Sequence, residues 1–445
     1  MVRPNRKQLS VAKERAILVG LVPPGEDWKE ELLNELASLA RTAGAVVVDK
    51  VPQVRSRIDP AYYIGKGKAA ELAQKARAAD VDTVIFDNDL SPAQVRNLEQ
   101  LTQAKVIDRS ELILDIFSTH ARTRQAKIQV ELAQLEYTLP RLRGMWTHLS
   151  RFEGGIGTRG PGEQQLEVDR RIASRRINEL KKRLKKIERR KVSEVTKRSP
   201  ELSVSLVGYT NAGKSTLMNA LTDAGMLVED KLFATLDTRT RRWVLPGGKK
   251  VLLSDTVGFI RGLPHHLIAA FRATLEEARN ADILLHIADL GSRQVLHQVA
   301  IVEEVLKNLG CKDVPTILVL NKVDIMADPV DLEILKRKYP ENVVISALTG
   351  ERLEDLRERI IDYLERGWQH FRIFCTPDDG RVLAYLYENG EVLSKSFGNE
   401  ENEFLVRLHP DYVVGLKRLN GSVRVNEWVP SGPSPSSPRS AEQSG

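Results

Sequence analysis

The sequence predicts an α/β protein of several domains, built around a P-loop domain with a mostly parallel sheet. Three observations predict this fold class. Short β-branched runs alternate with helix-like segments over residues 15–108, and two segments with a helical apolar repeat flank a glycine-rich stretch at 144–162. A glycine-rich loop also lies between a strand-like run and a helix-like run at 202–221.

The predicted boundaries divide the 445 residues into four domains and a tail. In order, they are a small N-terminal parallel α/β domain (1–110), an antiparallel helical hairpin (111–200), the P-loop domain (201–368), a small α+β C-terminal domain (369–430) and a low-complexity tail (431–445) that we expect to be disordered. An apolar content of 42% is sufficient for ordinary cores.

The N-terminal region alternates between strand and helix signals. The strand signals lie at 16–19, 45–48, 84–86 and 105–107, and the helix signals lie at 28–41, 68–79 and 92–102. This alternation predicts a small parallel sheet. The segment Tyr62-Tyr-Ile-Gly-Lys-Gly-Lys68 lacks phosphate-loop spacing, so a binding loop and a simple helix-start loop both remain open.

The second region carries two apolar seams. Ile128, Leu132, Leu135, Leu139 and Leu142 are spaced 4-3-4-3, and the spacing recurs in Ala173, Ile177, Leu180, Leu184 and Ile187. Two such helices can pack as an antiparallel hairpin. Residues 154–162 contain five Gly and one Pro, which disfavour helix and predict a loop at the tip.

The charge of the hairpin is strongly basic. Residues 170–198 contain 14 basic and 3 acidic residues, a net charge of +11, whereas the whole chain carries +7. Such a stripe attracts phosphate backbones. Trp146, His148, Arg151, Phe152 and Arg159 add stacking and cationic groups to the tip, which favours contact with RNA over a plain linker.

The run Gly208-Tyr-Thr-Asn-Ala-Gly-Lys-Ser215 matches the P-loop pattern G-x-x-x-x-G-K-[ST] at every fixed position. Backbone N–H groups of such a loop bind phosphates, Lys214 reaches the β- and γ-phosphates, and the Ser215 hydroxyl is a Mg²⁺ ligand. The expected contacts from this segment are Gly208, Tyr209, Thr210, Asn211, Ala212, Gly213, Lys214, Ser215 and Thr216.

A second motif follows the strand-like run 251–255. It is the D-x-x-G sequence formed by Asp255, Thr256, Val257 and Gly258. Asp255 can hold Mg²⁺ through water, and the Gly258 amide can sense a γ-phosphate. The next residue is Phe259, where a Ras-type enzyme has a Gln that orients the attacking water. Water must therefore be positioned by backbone, by another side chain or by a partner, and we expect slow turnover that a partner stimulates.

The polar segment 230–240 between these motifs is interpreted as a switch loop that γ-phosphate and Mg²⁺ order. Thr235 is the first candidate for a second Mg²⁺-binding hydroxyl, while Thr238 and Thr240 compete with it. Asn211 could help to hold K⁺ where an arginine finger acts in other enzymes, and its alternative role is stabilising the loop.

Base specificity is predicted from the run after the strand-like segment 316–320. Asp324 can accept hydrogen bonds from guanine N1–H and the 2-amino group, which adenine does not offer. Backbone amides at 346–348 can meet guanine O6. The expected base contacts are Asn321, Lys322, Val323, Asp324, Ser346, Ala347 and Leu348.

Other features bound the protein class. Cys311 and Cys375 form no disulfide framework and have no metal-ligand spacing, which suits a reducing cytoplasm. No apolar run reaches the length of a membrane span.

The last domain is predicted from its alternation of residues. After a helix at 351–366, strand-like alternation is expected in the segments 372–375, 381–387, 404–408 and 412–416.

With these residues in place, the chain resembles the HflX family of GTPases within the Obg/HflX group. The resemblance runs from about residue 15 to residue 430. It rests on Gly208–Thr216, on Phe233-Ala-Thr-Leu-Asp237, on Asp255–Phe259 and on Gly157-Thr-Arg-Gly-Pro-Gly-Glu-Gln-Gln-Leu-Glu167. One departure is Thr238-Arg239, where relatives often have Pro-Thr.

The resemblance implies a cytoplasmic, Mg²⁺-dependent GTPase that binds GTP and GDP, contacts rRNA of the large (50S) ribosomal subunit and splits stalled or stressed ribosomes. It implies nucleotide contacts at Phe233, Ala234, Thr235, Leu236 and Asp237, with Thr235 as the Mg²⁺ threonine and, with Lys214, as a catalytic residue. Such a protein is expected to be a monomer, with peripheral membrane association left open. ATP use by the N-terminal domain occurs in some members.

Two alternatives remain from the sequence. One is a GTPase of large-subunit assembly, which would associate mainly with precursor particles. The other is a nucleotide-gated RNA-binding or remodelling protein in which hydrolysis is incidental.

Overall fold

The computed structural model describes residues 11, 13–22, 24, 29–145, 161–195, 202–222, 232–233, 239–245, 250–262, 277–364, 366–408, 410–419 and 423–428. Contacts divide the chain into two compact units. The first contains residues 1–244 and 250–353, and the second contains residues 245–249 and 354–445. The predicted tail, 431–445, lies outside the described residues.

The N-terminal part of the first unit is a four-stranded parallel sheet in the order β2-β1-β3-β4, as predicted. Its strands are β1 (Arg15–Val22), β2 (Val46–Val54), β3 (Thr83–Phe86) and β4 (Lys105–Asp108). Its helices are α1 (Lys29–Thr42), α2 (Lys66–Ala78), α3 (Pro92–Thr102) and α4 (Arg109–His120). Helix α4 had no prediction. It follows β4 directly, and the Asp108 side chain caps it by accepting from the Glu111 N–H.

The hairpin consists of α5 (Arg124–Met145) and α6 (Pro161–Val195). Its two predicted seams meet, with Ile128, Leu132, Ile177, Leu180 and Leu184 buried together. The helices extend two residues further into the predicted tip at each end than expected. Pro161 can begin α6 because a missing N–H costs nothing at the first helical position. Residues 146–160, including the tip aromatics and arginines, lie outside the described residues.

The P-loop part contains a six-stranded sheet in the order β10-β9-β8-β5-β7-β6. Only the edge strand β6 runs antiparallel to its neighbour among these described strands. The strands are β5 (Leu202–Gly208), β6 (Arg239–Val244), β7 (Lys250–Asp255), β8 (Ile283–Asp289), β9 (Thr316–Asn321) and β10 (Val343–Val344). The helices are α7 (Lys214–Thr222), α8 (Val295–Asn308), α9 (Pro329–Lys338) and a 3₁₀ turn (Val323–Ile325).

The second unit contains an antiparallel sheet in the order β12-β13-β11-β14. Its strands are β11 (Gln369–Cys375), β12 (Glu391–Phe397), β13 (Asn402–Leu408) and β14 (Arg424–Glu427). Its helices are α10 (Leu353–Leu364, which begins at the boundary between the units), α11 (Gly380–Asn389) and α12 (Pro410–Leu419).

The strand prediction was wrong for two segments of this unit, 381–387 and 412–416, which lie in α11 and α12. Val382 and Leu386 are both buried, and their spacing of four residues is that of one helix face. The β-branched and aromatic residues suggested strands, but the spacing of the buried positions decides for helix. The segments 372–375 and 404–408 are strands as predicted.

Two further observations concern the whole described chain. Cys311 and Cys375 are free and buried, and burial raises the pKa of both thiols. None of the described helices combines the length and the apolar character that crossing a membrane requires.

Candidate guanine nucleotide site

The P-loop connects β5 to α7, and two of its glycines are required by their surroundings. Gly208 has φ +154°, and a Cβ there would lie 2.3 Å from the Ile287 carbonyl oxygen. Gly213 has φ +95°, and its Cβ would lie 2.2 Å from Asn321 Nδ2. Both positions combine a left-handed backbone with close approach of a neighbouring strand end, so only glycine fits. The fixed glycines of the motif are thus explained by packing within the site.

Lys214 lies at the start of α7 and is almost completely buried. Its Nζ donates to the Tyr209 carbonyl at 2.8 Å and to the Gly208 carbonyl at 3.2 Å. Burial lowers the pKa of Lys214 to about 8, and the nearby Asp255 carboxylate opposes that shift. The ammonium group is therefore held against the loop, beside the place where the motif requires it to meet phosphate oxygens.

Ser215, a predicted Mg²⁺ ligand, and Asp255, which was predicted to hold Mg²⁺ through water, lie next to each other. Ser215 Oγ donates to Asp255 Oδ2 at 2.6 Å, and Asp255 at the end of β7 is fully buried. A hydroxyl and a carboxylate at this separation provide the hard oxygen ligands that Mg²⁺ prefers, and water completes its shell. These residues therefore fit Mg²⁺.

The second predicted ligand, Thr235, lies outside the described residues with Ala234, Leu236, Asp237 and Thr238. Its competitor Thr240 is described on β6, where its hydroxyl lies 2.9 Å from Ser254 Oγ. Thr240 is thus engaged in cross-strand pairing. Phe233 is described and buried, with φ +58°.

The predicted base-recognition segments are joined through Asn321 at the end of β9. Its side-chain amide donates to the Ala212 carbonyl at 2.8 Å, and its Oδ1 accepts from the Ala347 N–H at 2.9 Å. One side chain therefore fixes the P-loop relative to the segment 346–348. Lys322 pairs with Asp289 at 2.7 Å, and the Val323 N–H donates to the Ile345 carbonyl at 3.2 Å.

Asp324 is exposed at the mouth of this arrangement, within the 3₁₀ turn. Ser346 is fully buried, and its hydroxyl accepts from the Thr349 N–H at 3.2 Å, so it shapes the turn. Leu348 is 79% exposed. An exposed carboxylate at this position can accept the hydrogen bonds that we predict from guanine N1–H and the 2-amino group.

Phe259, the residue after Gly258, has a side chain that can neither donate nor accept a proton, and its surroundings indicate a structural role. Phe259 is 2% exposed. Its backbone forms a bridge to the P-loop, with the Phe259 N–H donating to the Gly208 carbonyl at 3.0 Å and the Thr210 N–H donating to the Phe259 carbonyl at 2.7 Å. The aromatic ring belongs to the core, and the backbone of this segment is attached to the loop that binds phosphates.

One function of a predicted site residue was missed. The predicted nucleotide contact of Tyr209 as part of the loop stays a prediction, and the structure adds that its hydroxyl donates to Glu35 of the N-terminal part at 2.5 Å. No local pattern could have revealed this contact, because the two residues are 174 positions apart in the sequence.

These features define the class of P-loop guanine nucleotide-binding proteins. They are a mostly parallel sheet with a P-loop, a Ser–Asp pair beside that loop and an N-K-x-D segment bonded to it. Family models agree along the chain, and they match "GTP-binding GTPase N-terminal" at residues 30–118, "GTP-binding GTPase Middle Region" at 120–198 and "50S ribosome-binding GTPase" at 203–322. The GTPase HflX of Lacrimispora saccharolytica is 48% identical, covering 88% of this chain and 92% of its own. The GTPase HflX of Escherichia coli strain K12 is 42% identical, covering 92% and 96%. The chain belongs to the HflX family of GTPases.

A solved structure of a GTP-binding protein from Sulfolobus solfataricus in complex with GDP is also similar to the chain. The sequence identity is 27%, the match covers 79% of this chain and 99% of that one, and the TM-score is 0.43.

Proposed function

We propose that this protein is a Mg²⁺-dependent GTPase that acts in the cytoplasm on the large ribosomal subunit and separates the subunits of stalled or stressed ribosomes. The observation that carries the ribosomal part is the basic face of α6. Among the described side chains of this helix, one side forms the seam against α5 and the other side is largely exposed.

Ion pairs among the described residues compensate part of the charge on that face. Arg176, Lys181 and Arg183 form ion pairs with neighbouring glutamates. The remaining basic side chains of the described face are exposed, and they are Arg170, Arg171, Arg175, Lys182, Lys185 and Lys186. Several lysines and arginines on a rigid helix suit the regular phosphates of rRNA, and their binding releases counterions.

The predicted tip joins this helix to α5, so its aromatic residues and arginines would be presented at the end of the hairpin. We propose that GTP and Mg²⁺ order the segments around Thr235 and Gly258 and favour the ribosome-bound state. Hydrolysis then relaxes these segments and allows release. Lys214 and Thr235 act on the phosphates and the metal, and Asn211 is the proposed ligand if K⁺ supports turnover. Equal turnover in K⁺ and Na⁺ buffers would eliminate the K⁺ proposal.

The test compares GTP turnover by the monomeric chain with and without purified 50S subunits at two salt concentrations. The variant is Lys182→Glu/Lys185→Glu/Lys186→Glu. A matched control, Lys307→Glu/Lys312→Glu/Arg337→Glu, makes the same change in net charge on exposed positions of the P-loop part.

We expect strong stimulation of the unaltered protein that weakens as salt rises. The hairpin variant should lose most of the stimulation, with the salt dependence of binding reduced by about 2 to 3 in log–log slope. The control triple should be stimulated normally. Equal behaviour of the two triples would eliminate the hairpin as the rRNA contact.

Ribosome separation is measured independently, by light scattering of 70S particles after addition of protein and GTP. A variant lacking residues 146–160 should bind GTP normally and fail to separate the subunits. Stimulated turnover without any separation of mature ribosomes would favour the assembly alternative.

A further inference from the structure

One buried hydroxyl group of the P-loop has no partner that explains it. Thr210, the third residue of that loop, is 6% exposed, yet its Oγ1 has no hydrogen-bond partner among the residues that the structure describes. Burying a hydroxyl group without a partner costs free energy, and a valine of nearly the same shape would avoid that cost. A ligand or a reacting water that supplies the missing hydrogen bond would explain such an atom.

Main-chain hydrogen bonds fix Thr210 beside the D-x-x-G segment. The Thr210 N–H donates to the Phe259 carbonyl at 2.7 Å, and the Phe259 N–H donates to the Gly208 carbonyl at 3.0 Å. The two segments therefore lie side by side like neighbouring strands, with Tyr209 and Phe259 as the paired residues. This pairing places the Thr210 side chain next to Gly258, whose amide is predicted to sense the γ-phosphate.

The surroundings of Gly258 define the same place. A Cβ built on Gly258 would lie 2.9 Å from Thr210 Cα, from Thr210 Cγ2 and from Lys214 Nζ. The Thr210 hydroxyl shares a carbon with that methyl group, so it lies within one bond rotation of this place. The hydroxyl group, the Lys214 ammonium group and the Gly258 backbone therefore meet where the γ-phosphate is predicted to bind.

The side chains around this place differ in the hydrogen bonds that they can form. An attacking water needs an acceptor for one of its protons, so that a lone pair of its oxygen can point at the γ-phosphorus. The Lys214 ammonium group is a donor only, and the Phe259 side chain has no polar atom. The Thr210 hydroxyl can accept from water. Of these three side chains, Thr210 alone offers an acceptor.

We propose that Thr210 is the catalytic residue that orients the attacking water in this chain, in the role that a Gln after D-x-x-G has in Ras-type enzymes. Its Oγ1 accepts a hydrogen bond from the water and keeps its own proton. The water oxygen forms a bond to the γ-phosphorus, and the bond from that phosphorus to the bridging oxygen breaks, leaving its electron pair on GDP. One water proton passes to a phosphate oxygen, and the other stays on the attacking oxygen.

The inference rests on the GTP site of the proposed function and is independent of its ribosomal part. The test therefore uses the full chain without ribosomes, in excess over GTP, and measures the rate constant of a single turnover. Single-turnover kinetics separate the chemical step from product release. Thr210→Val removes the hydroxyl and keeps the shape of the side chain, whereas Thr210→Ser keeps the hydroxyl.

We expect Thr210→Val to lower the rate constant about tenfold or more, since losing one hydrogen bond made in a transition state has an effect of this size or larger. Thr210→Ser should stay within about threefold of the unaltered protein, because its hydroxyl can accept from the same water. The affinities for GDP and for a non-hydrolysable GTP analogue should change by less than about threefold in both variants, since the lost interaction serves the chemical step.

The matched control is Ser205→Ala. Ser205 lies in β5, which leads into the P-loop, and it is 1% exposed. Its Oγ also has no hydrogen-bond partner among the described residues. Ser205 lies outside the segments that are predicted to contact nucleotide, so its variant should hydrolyse GTP at the rate of the unaltered protein.

An unchanged rate constant in Thr210→Val overturns the proposal. An equal loss in Thr210→Val and Thr210→Ser also overturns it, because the hydroxyl would then not be the group that matters. A parallel loss of rate constant, GDP affinity and melting temperature indicates a purely structural role and overturns it as well. If the unaltered protein hydrolyses no GTP, the GTPase function fails together with this proposal, so the two failures are distinguishable.

Discussion

A single methyl group added at Gly258 should weaken the binding of GTP and leave the binding of GDP nearly unchanged. A Cβ there would lie 2.9 Å from Lys214 Nζ, from Thr210 Cα and from Thr210 Cγ2. Contacts below 3.4 Å are tighter than most Cβ contacts, so the Gly258 backbone has to withdraw by about 0.5 Å. One of the three neighbours is backbone of the P-loop, which cannot turn aside as a side chain can.

The withdrawal should weaken the hydrogen bond that we predict from the Gly258 N–H to the γ-phosphate. A hydrogen bond to a charged group contributes about 1.5–3 kcal/mol, which corresponds to about 10- to 150-fold in affinity. GDP lacks that phosphate, so its affinity should change by less than about threefold. We therefore expect Gly258→Ala to lower the affinity for a non-hydrolysable GTP analogue selectively.

The assay is competition of unlabelled nucleotides against a fluorescent GDP derivative. Gly380→Ala is the matched control, since a Cβ at Gly380 meets nothing within 4 Å. If Gly258→Ala weakens GDP and the GTP analogue equally, or weakens neither, the inference that this amide senses the γ-phosphate is refuted.

Three further outcomes are expected. Asp324→Asn should weaken GTP binding by about 10- to 150-fold and improve binding of xanthosine triphosphate, whose C2 carbonyl accepts from the new amide; unchanged base preference in competition binding would contradict the base assignment. The pKa of Lys214, about 8 against an ordinary 10.5, means that the free protein loses this proton as pH rises through 8, whereas bound phosphates favour the charged form. Binding of GDP at pH 8.5 should therefore be accompanied by proton uptake at Lys214. The binding enthalpy measured by calorimetry should then vary with the ionisation enthalpy of the buffer in the unaltered protein, and it should not vary in Lys214→Arg. Leu180→Ala, at a fully buried seam position, should lower the free energy of unfolding by about 2–5 kcal/mol in urea titrations, while Ile172→Ala, 59% exposed on the same helix, should have little effect.

Local sequence patterns were sufficient to predict the nucleotide-binding motifs, because each motif is a short continuous segment. The P-loop, the D-x-x-G and the N-K-x-D segments each lie at the end of a strand that its own β-branched residues specify, and parallel strands bring those ends to one edge. The hairpin was predictable for a similar reason, because a 4-3 repeat encodes which face is buried.

Contacts between distant residues could not be predicted in this way. Glu35 does not lie in a recognisable motif, and its hydrogen bond with Tyr209 leaves no periodic signal in the sequence. In the second unit, aromatic and β-branched residues in 381–387 and 412–416 favoured strands, while packing against a sheet stabilises them as helices. Tertiary context overrode propensity there.

The burial of the two cysteines gives each compact unit a chemical reporter of its own. Cys311 lies in the first unit and Cys375 in the second, each residue is 3% exposed, and burial raises the pKa of both thiols. Such thiols react slowly with alkylating reagents until the surrounding structure opens. Pulsed alkylation followed by peptide mass spectrometry would therefore time the opening of each unit separately, in the unaltered protein and without an added label. Nucleotide should slow modification of Cys311 by stabilising the P-loop part, and the response of Cys375 would measure how far that stabilisation extends along the chain.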